Sequence, residues 1–354
     1  MSFLNKLRCP LLTSLAVHDA LSRLPVHRSP NRLGNLVEEH RWVDLHLIES
    51  AAFAQDAYPD KPIRLIVSFP PGGSTDIIAR LVAAKVGAMW GGKTIVVENK
   101  PGASGTIGTG ESIAAAPDGY TLTIGNSQTH ATNQTLYPNL KYDLVKDVTP
   151  IAMLARTKNV LAVAATSPYK TAQDLLDAAR TKPLSFASVG NGSSSHIIGE
   201  YINRQFKLNA VHAPYKGGTP AITDLVGGQV DFMVPTYGSV ANFYKDGRVR
   251  ILAVSDEVRD PRLPGIPTFK EVGLPSLGLD TTIGVYGPAQ LPPAVVAKWS
   301  EAIGVLAKDP ATEKTLETTG FDVWYKPASE MAKYHPAEVV RLGKIIKEAN
   351  VQMN

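Results

Sequence analysis

Only one cysteine, Cys9, stands in 354 residues, so the chain carries no disulfide framework of its own. No run of about 18 apolar residues occurs, so the sequence predicts no transmembrane helix. An excess of one charge is missing too. The 36 basic and 32 acidic side chains leave a formal net charge of +4 and form no Lys/Arg runs. That argues against nucleic acid as a partner, which would require a basic stripe. Hydrophobic residues make up 44% of the chain, beside 29 glycines and 26 prolines, a composition that excludes a disordered protein. The length suits two domains, each burying a core.

The composition breaks near residue 55. Residues 1–54 hold Cys9, four of the eight histidines (His18, His27, His40 and His46) and a single glycine, Gly34. At the join, Ala52-Phe53-Ala54-Gln55 has the small-x-small pattern of a signal-peptidase box. The stretch before it contains Glu38, Glu39, His40, Arg41, Asp44, His46 and Glu49, too many charges for the apolar segment that should precede such a box. The one apolar stretch with basic flanks, Leu11 to Val17 behind Lys6 and Arg8, is broken by Thr13 and Ser14 and lies far upstream. Two readings stand. Residues 1–54 are an aberrant, disordered leader, produced by a wrong start or a frame error upstream of a true cleavage site, or Ala-Phe-Ala is a coincidence. The first places the body from residue 55 in the periplasm, although this reading frame lacks the segment that export needs.

From Tyr58 onward one unit repeats: a β-rich run, a Gly/Ser/Thr loop, a helical stretch. Ile63 to Phe69 is apolar and β-branched and predicts a buried strand. Pro70-Pro71-Gly72-Gly73 ends it, and Ile77, Ile78, Leu81 and Val82 then follow at helical spacing. Strands are expected again at Thr94–Glu98, Tyr120–Ile124, Leu184–Val189, Val230–Val234 and Val249–Val254, with a helix at Ile197–Phe206. Alternation of this kind predicts mainly parallel sheets flanked by helices, an α/β fold. The C-terminal part reads as three helices, Pro292–Lys308, Ala311–Thr318 and Ala328–Ala349, with one short strand at Phe321–Tyr325. Pro336 should kink or restart the last helix. Helices with so few strands of their own must pack on a sheet formed earlier. The expected organisation is therefore one lobe from 55–155 plus 278–354 and a second from 156–277.

In open α/β sheets ligands bind beyond the carboxyl ends of strands, at helix N-termini. Four loops there share one composition: Pro70 to Ser74, Lys100 to Gly105, Gly190 to Ser195, and Tyr215 to Thr219. Glycines admit close backbone approach, free amides point outward and hydroxyls add donors, which together make an anion-binding device. Nucleotide-binding patterns do not fit, because Gly105-Thr106-Ile107-Gly108 lacks the leading glycine pair and no loop places Lys-Ser/Thr after Gly. A carboxylate needs fewer donors and no metal. No arginine lies inside the loops; Arg80 is a turn into its helix. Each loop also has a plainer reading, with Ser193, Ser194 or Ser195 capping the next helix and Gly72-Gly73 making a turn.

An enzyme reading rests on Ser194 with His196, but adjacent residues rarely meet productively and no Gly-x-Ser-x-Gly elbow is present. No catalytic residue is therefore assigned. His130, in the polar loop with Ser127 and Thr129, is a candidate ligand contact. The body histidines His130, His196, His212 and His335 are scattered without metal-ligand spacing, so neither metal nor cofactor is expected. Asp76 opens the first helix, where it favours the dipole and could orient loop amides or a ligand ammonium.

Taken in order, these segments resemble one family. They are Tyr58-Pro59-Asp60-Lys61-Pro62-Ile63-Arg64, Phe69-Pro70-Pro71-Gly72-Gly73-Ser74-Thr75-Asp76, Glu98-Asn99-Lys100-Pro101-Gly102-Ala103-Ser104-Gly105 and Ala116-Pro117-Asp118-Gly119-Tyr120. Gly190-Asn191-Gly192-Ser193-Ser194-Ser195-His196, Pro214-Tyr215-Lys216-Gly217-Gly218-Thr219-Pro220-Ala221, Asp224 to Asp231 and Leu263-Pro264-Gly265-Ile266-Pro267 continue the match. From about 58 to 354 the chain is similar to the Bug-type extracytoplasmic solute receptors of tripartite tricarboxylate transporters. The resemblance implies a two-lobed Venus-flytrap closing on a small carboxylate or related molecule. It implies that the loop from Phe69 through Pro71, Gly72, Gly73 and Ser74 to Asp76 holds one ligand end by backbone groups and ordered waters. The distal end would fall to Gly192, Ser193, Ser194 and His196, and to Tyr215, Gly217, Gly218 and Thr219. Expected partners are the membrane permease subunits and, for some members, a sensor kinase; a monomer is expected. The chain departs from the family at Pro235-Thr236-Tyr237, where Asp or Asn is common, and Thr236 is taken as the contact there. It departs again at Thr281-Thr282-Ile283-Gly284, which lacks the usual tryptophan.

Overall fold

The computed structural model describes residues 58–348, so the leader and its cleavage box lie outside the described residues. β1 (Ile63–Val67) is followed by Pro70 and Pro71, which cannot continue a central strand, and the chain turns into α1 (Ser74–Met89). Next come β2 (Ile95–Asn99), a 3-10 turn at Ala103–Gly105, α2 (Thr106–Ile113) and β3 (Thr121–Asn126). A π-helical turn at Gln128–Thr132 leads into α3 (Asn133–Leu136), and β4 (Val148–Thr157) completes the first passage.

The second sheet is built from β5 (Val160–Ala164), α4 (Ala172–Thr181), β6 (Leu184–Ser188), α5 (Ser194–Gln205), β7 (Ala210–Pro214), α6 (Gly218–Val226), β8 (Phe232–Met233), α7 (Tyr237–Lys245) and β9 (Val249–Val254). The chain then returns through β10 (Thr281–Pro288), α8 (Pro293–Lys308), α9 (Pro310–Thr318), β11 (Asp322–Lys326) and α10 (Ala328–Glu348). Pro336 lies inside α10, which does not restart there. Among the described residues no helix is long and apolar enough to cross a membrane.

The first sheet has the order β11-β4-β10-β3-β1-β2 and the second β7-β6-β8-β5-β9. β1 runs parallel to β2 and β3, and β6 parallel to β7 and β8. The strands next to the crossings, β10 and β5, are antiparallel to their neighbours. β4 ends at Thr157 in one sheet and β5 starts at Val160 in the other; β9 ends at Val254 and β10 resumes the first sheet at Thr281.

Four strands, β4, β5, β7 and β10, were not anticipated. β4 contains Pro150, β7 contains His212 and ends on Pro214, and β10 contains Gly284 and Gly287. Such residues lower intrinsic strand preference, and pairing with neighbours overrides it. The C-terminal helices pack as expected: Trp299, Ile303 and Leu306 of α8 join Ile63, Leu65 and Ile78 in the first lobe's core. α10 reaches further. Its Met331 is buried with Leu144 and Tyr286, while Leu342 and Ile346 belong to the apolar cluster of Phe186 and Phe232 in the second lobe.

Candidate functional site

Four helices, α1, α5, α6 and α7, begin at the strand ends that face one another between the lobes, and residues of each first turn line a common cavity of about 60 Å³. The first lobe supplies Phe69, Gly73, Ser74 and Thr75, with Asn126, Ser127 and Gln128 from the end of β3. The second supplies Val189, Ser193, Ser194 and Ser195, with Gly218, Thr236 and Ser239. Leu279, Asp280 and Thr281, on the returning crossover, close one side. Amides and helix dipoles thus bring partial positive charge to a chamber that no lysine or arginine lines.

The lobes touch across it. Ser74 Oγ and Thr236 Oγ1 lie 2.7 Å apart, and the Thr219 hydroxyl donates to the Pro71 carbonyl at 2.9 Å. Gln128 Nε2 donates to the Asn191 carbonyl and the Thr132 hydroxyl to the Gly192 carbonyl, each at 3.2 Å. This is a closed arrangement.

Of the residues expected at the ligand, Phe69, Gly73, Ser74, Ser127, Ser193, Ser194, Gly218 and Thr236 line the cavity. The others stand elsewhere. Asp76 is 2% exposed and accepts from the Gly72 amide at 2.9 Å, from Arg80 Nε at 2.8 Å and from Asn99 Nδ2 at 2.8 Å. Burial alone would raise its pKa; the Arg80 guanidinium, the Gly72 amide and Asn99 outweigh that and hold it below the usual range. Asp76 therefore shapes the loop, and Gly73 and Ser74 line the cavity in its place. Asp76→Ala should weaken ligand binding about tenfold, the loss of roughly one charge-assisted bond. Arg80→Ala, which leaves the Gly72 and Asn99 bonds in place, should stay within about threefold. Calorimetry with both variants checks this, and equal losses would contradict it.

Thr129 and His130 also point away. The Thr129 hydroxyl accepts from the Asn126 amide and lies 2.9 Å from His130 Nδ1. The His130 ring stacks on Tyr286 with centroids 4.0 Å apart. It sits where a side chain on Gly125 would stand, since a Cβ there would meet Nδ1 at 2.1 Å. Burial, with His335 nearby, drives its pKa well below the ordinary value, so it is a neutral packing residue.

His196 is 3% exposed, and its Nδ1 accepts from the Gly192 amide at 3.1 Å. Ser194 donates instead to Asn159 Oδ1 at 2.9 Å. Serine and histidine therefore form no nucleophile–base pair. Burial pushes His196 down to about 3, with His212 and Arg204 adding to it. The histidines are less scattered than their spacing suggests: His196 stacks on His212 with centroids 4.1 Å apart, and Glu200 joins them within 4.8 Å. An Nδ1 that accepts from Gly192 leaves the proton on Nε2, so His196 offers this cluster a donor and no lone pair for a metal.

Tyr215 and Gly217 flank the site. The Tyr215 hydroxyl donates to Asp224 at 2.7 Å, an interaction that, with burial, pushes it up to about 12. Its residue lines a second hollow of about 250 Å³ beyond Phe69 and Val189, beside Ser104, Asn191 and Lys216. Gly217 (φ 137°) faces Pro70, where a Cβ would meet Cδ at 2.6 Å. Pro71, Gly192 and Thr219 belong to the closing contacts and Gly72 to the turn held by Asp76, and none of them lines the cavity wall.

Sequence reasoning did not single out Thr75, Asn126, Gln128, Ser239 or Asp280. Asn126 and Gln128 fall in a polar loop that was recognised. Asp280 precedes the pair Thr281-Thr282, and the missing tryptophan there was the available signal.

The family model for the tripartite tricarboxylate transporter family receptor matches residues 78–351. The chain belongs to that receptor family. Protein BugT of Bordetella pertussis is 30% identical over 86% of this chain and 94% of its own. Among solved structures, Rpa4515 of R. palustris with adipate is 29% identical, with a TM-score of 0.79 over 83% of this chain and 99% of its own. MatC of Rhodopseudomonas palustris with bound malate is 30% identical, with a TM-score of 0.75 over 82% of this chain and all of that one. The fold is accordingly that of a two-lobed periplasmic binding protein, and the chain is a solute-binding receptor. The hydrolase alternative is overturned by this membership and by the separation of Ser194 from His196.

Proposed function

We propose that this receptor captures a small organic acid between its lobes and delivers it to the permease of a tripartite tricarboxylate transporter. One observation carries this reading: four helix N-termini meet at one cavity without a basic side chain in its wall. Bonds from amides and hydroxyls to a carboxylate contribute about 1.5–3 kcal/mol each, and a micromolar ligand needs about 8 kcal/mol in total. Four or five such bonds suffice after ordering losses. The ligand-bound relatives hold adipate and malate, acids of the size class proposed here. The site residues of this reading are Gly73, Ser74, Ser127, Ser193, Ser194, Gly218 and Thr236, with Thr219, Gly217 and Gly192 at the closing seam. The lobes are assigned as 55–155 with 278–354 and as 156–277. The working compartment is the periplasm, and the receptor acts as a monomer.

Mass spectrometry of what co-purifies with the native protein, followed by thermal shift with a panel of organic acids, tests this. An acid that raises Tm and is recovered unchanged is expected. Chemical conversion of the acid, or no shift with any of them, would overturn the reading.

A further inference from the structure

Asp280 is the one charged side chain in the cavity wall. It makes no hydrogen bond or ion pair among the described residues, and the nearby cations are turned to other carboxylates, although Arg156 Nε is buried without a hydrogen-bond partner. Arg341 binds Glu338 at 2.7 Å, Lys158 binds Asp256 and Asp260, and Arg156 lies 3.9 Å from Asp322. Arg341 also donates to the Gly278 carbonyl, two residues before Asp280, and still does not reach its carboxylate. The chamber therefore has two electrostatic ends: helix N-termini that attract an anion, and an unpaired carboxylate that would repel one.

We propose that Asp280 receives a cationic group of the ligand, so that the captured molecule is an amine-bearing carboxylic acid and not a plain di- or tricarboxylate. This rests on the carboxylate reading above and deepens it. The carboxylate of such a molecule would meet the amides at Gly73, Ser74 and Ser194, and its ammonium the Asp280 oxygens. Burial pushes Asp280 up to about 6; Arg156 and Lys158 oppose this, and Asp256 and Asp322 add to it. At neutral pH the group is still mostly ionised, as a cation partner requires. A second ligand carboxylate placed there would have to force a proton onto it.

Matched pairs of acids that differ only in an amino group test this: aspartate with succinate, and glutamate with glutarate. Calorimetry uses the ligand-stripped full chain and Asp280→Asn, whose fold is verified by an unchanged circular dichroism spectrum and a Tm no lower than that of the wild type. The amine-bearing member of a pair should bind the wild type about tenfold or more tightly than its partner at pH 7.5. Its affinity should fall on going to pH 5, as Asp280 takes up a proton. Asp280→Asn should lose about tenfold for that member and lose nothing for the deaminated one. Preference of the wild type for the deaminated acid, or binding that strengthens on acidification, would overturn the proposal and leave the carboxylate reading intact, with Asp280 acting as a protonated donor. If no member binds either protein, the carboxylate reading falls and this proposal with it.

Discussion

Gly192→Val is expected to reduce ligand affinity by about a hundredfold or more while shifting the Tm of the unliganded protein by only a few degrees. Gly192 lies between β6 and α5 with φ 79°, a conformation that a β-branched residue adopts only under strain. Its amide is held by His196 and its carbonyl accepts from Thr132 across the cleft. A Cβ at this position would meet Leu136 Cδ1, in the opposite lobe, at 2.4 Å. Gly192 and Leu136 stand on different lobes, so the added side chain would oppose the closed arrangement seen here. A hundredfold corresponds to about 2.7 kcal/mol, comparable with the strain and overpacking expected. Gly72→Val makes a useful contrast. Gly72 has φ 82°, but its Cβ would meet only Thr219 Oγ1, at an ordinary 3.4 Å. Its cost is backbone strain alone, shared by the free and bound protein, so a lower Tm with affinity within about threefold of wild type is expected. Titration calorimetry separates the two, and wild-type affinity in Gly192→Val would show that the lobes need not come this close to hold ligand.

Acid should destabilise the ligand-free receptor well before its carboxylates titrate. His130, His196 and His335 are 1%, 3% and 2% exposed. Burial lowers all three below the ordinary value, with His196 at about 3. Half-buried His212, at about 4, adds less. Because the folded pKa lies below the unfolded one, near 6.5, the unfolded chain binds more protons in this range. The stability contributed is present above pH 6.5 and is lost as pH falls toward the folded values. Each buried imidazole contributes a slope of about 1.4 kcal/mol per pH unit. Asp280 at about 6 and the raised Glu200 act in the opposite direction and offset part of it. Between pH 6.5 and 5 a net loss of about 3 kcal/mol is expected. Urea unfolding across that range measures it. His335→Gln, which keeps a donor for the Leu144 carbonyl, should make the slope shallower. Constant stability down to pH 5 would show that these rings find a way to charge within the fold.

The loops that surround the cavity were legible because glycine, proline and serine clusters are local signals. Pro70-Pro71 must stop a strand, and Ser193 caps α5 by accepting from the His196 amide. Side-chain direction was not legible. His130 follows Thr129 in a polar loop and reads as a ligand contact, yet the π-helical turn at Gln128–Thr132 swings its ring onto Tyr286, a partner 156 residues away in sequence. Asp76 shows the same limit. Its place in the first turn of α1 favours the dipole, but its service to Gly72, Arg80 and Asn99 depends on how loop and strand pack.

The alternating α/β construction, the strand-to-helix loops with free amides, and the order of motifs that marks the receptor family are all written in local residue patterns. Each depends on short stretches whose backbone preferences act locally. Which faces of those loops meet, which histidines are sealed in neutral form, and the place of Asp280 in the cavity wall follow from packing between distant segments. Asp280 lies on a crossover with no periodic pattern, and its environment is set by α10, β4 and the helix ends of two lobes. Long-range packing places those elements together, and no local propensity encodes it.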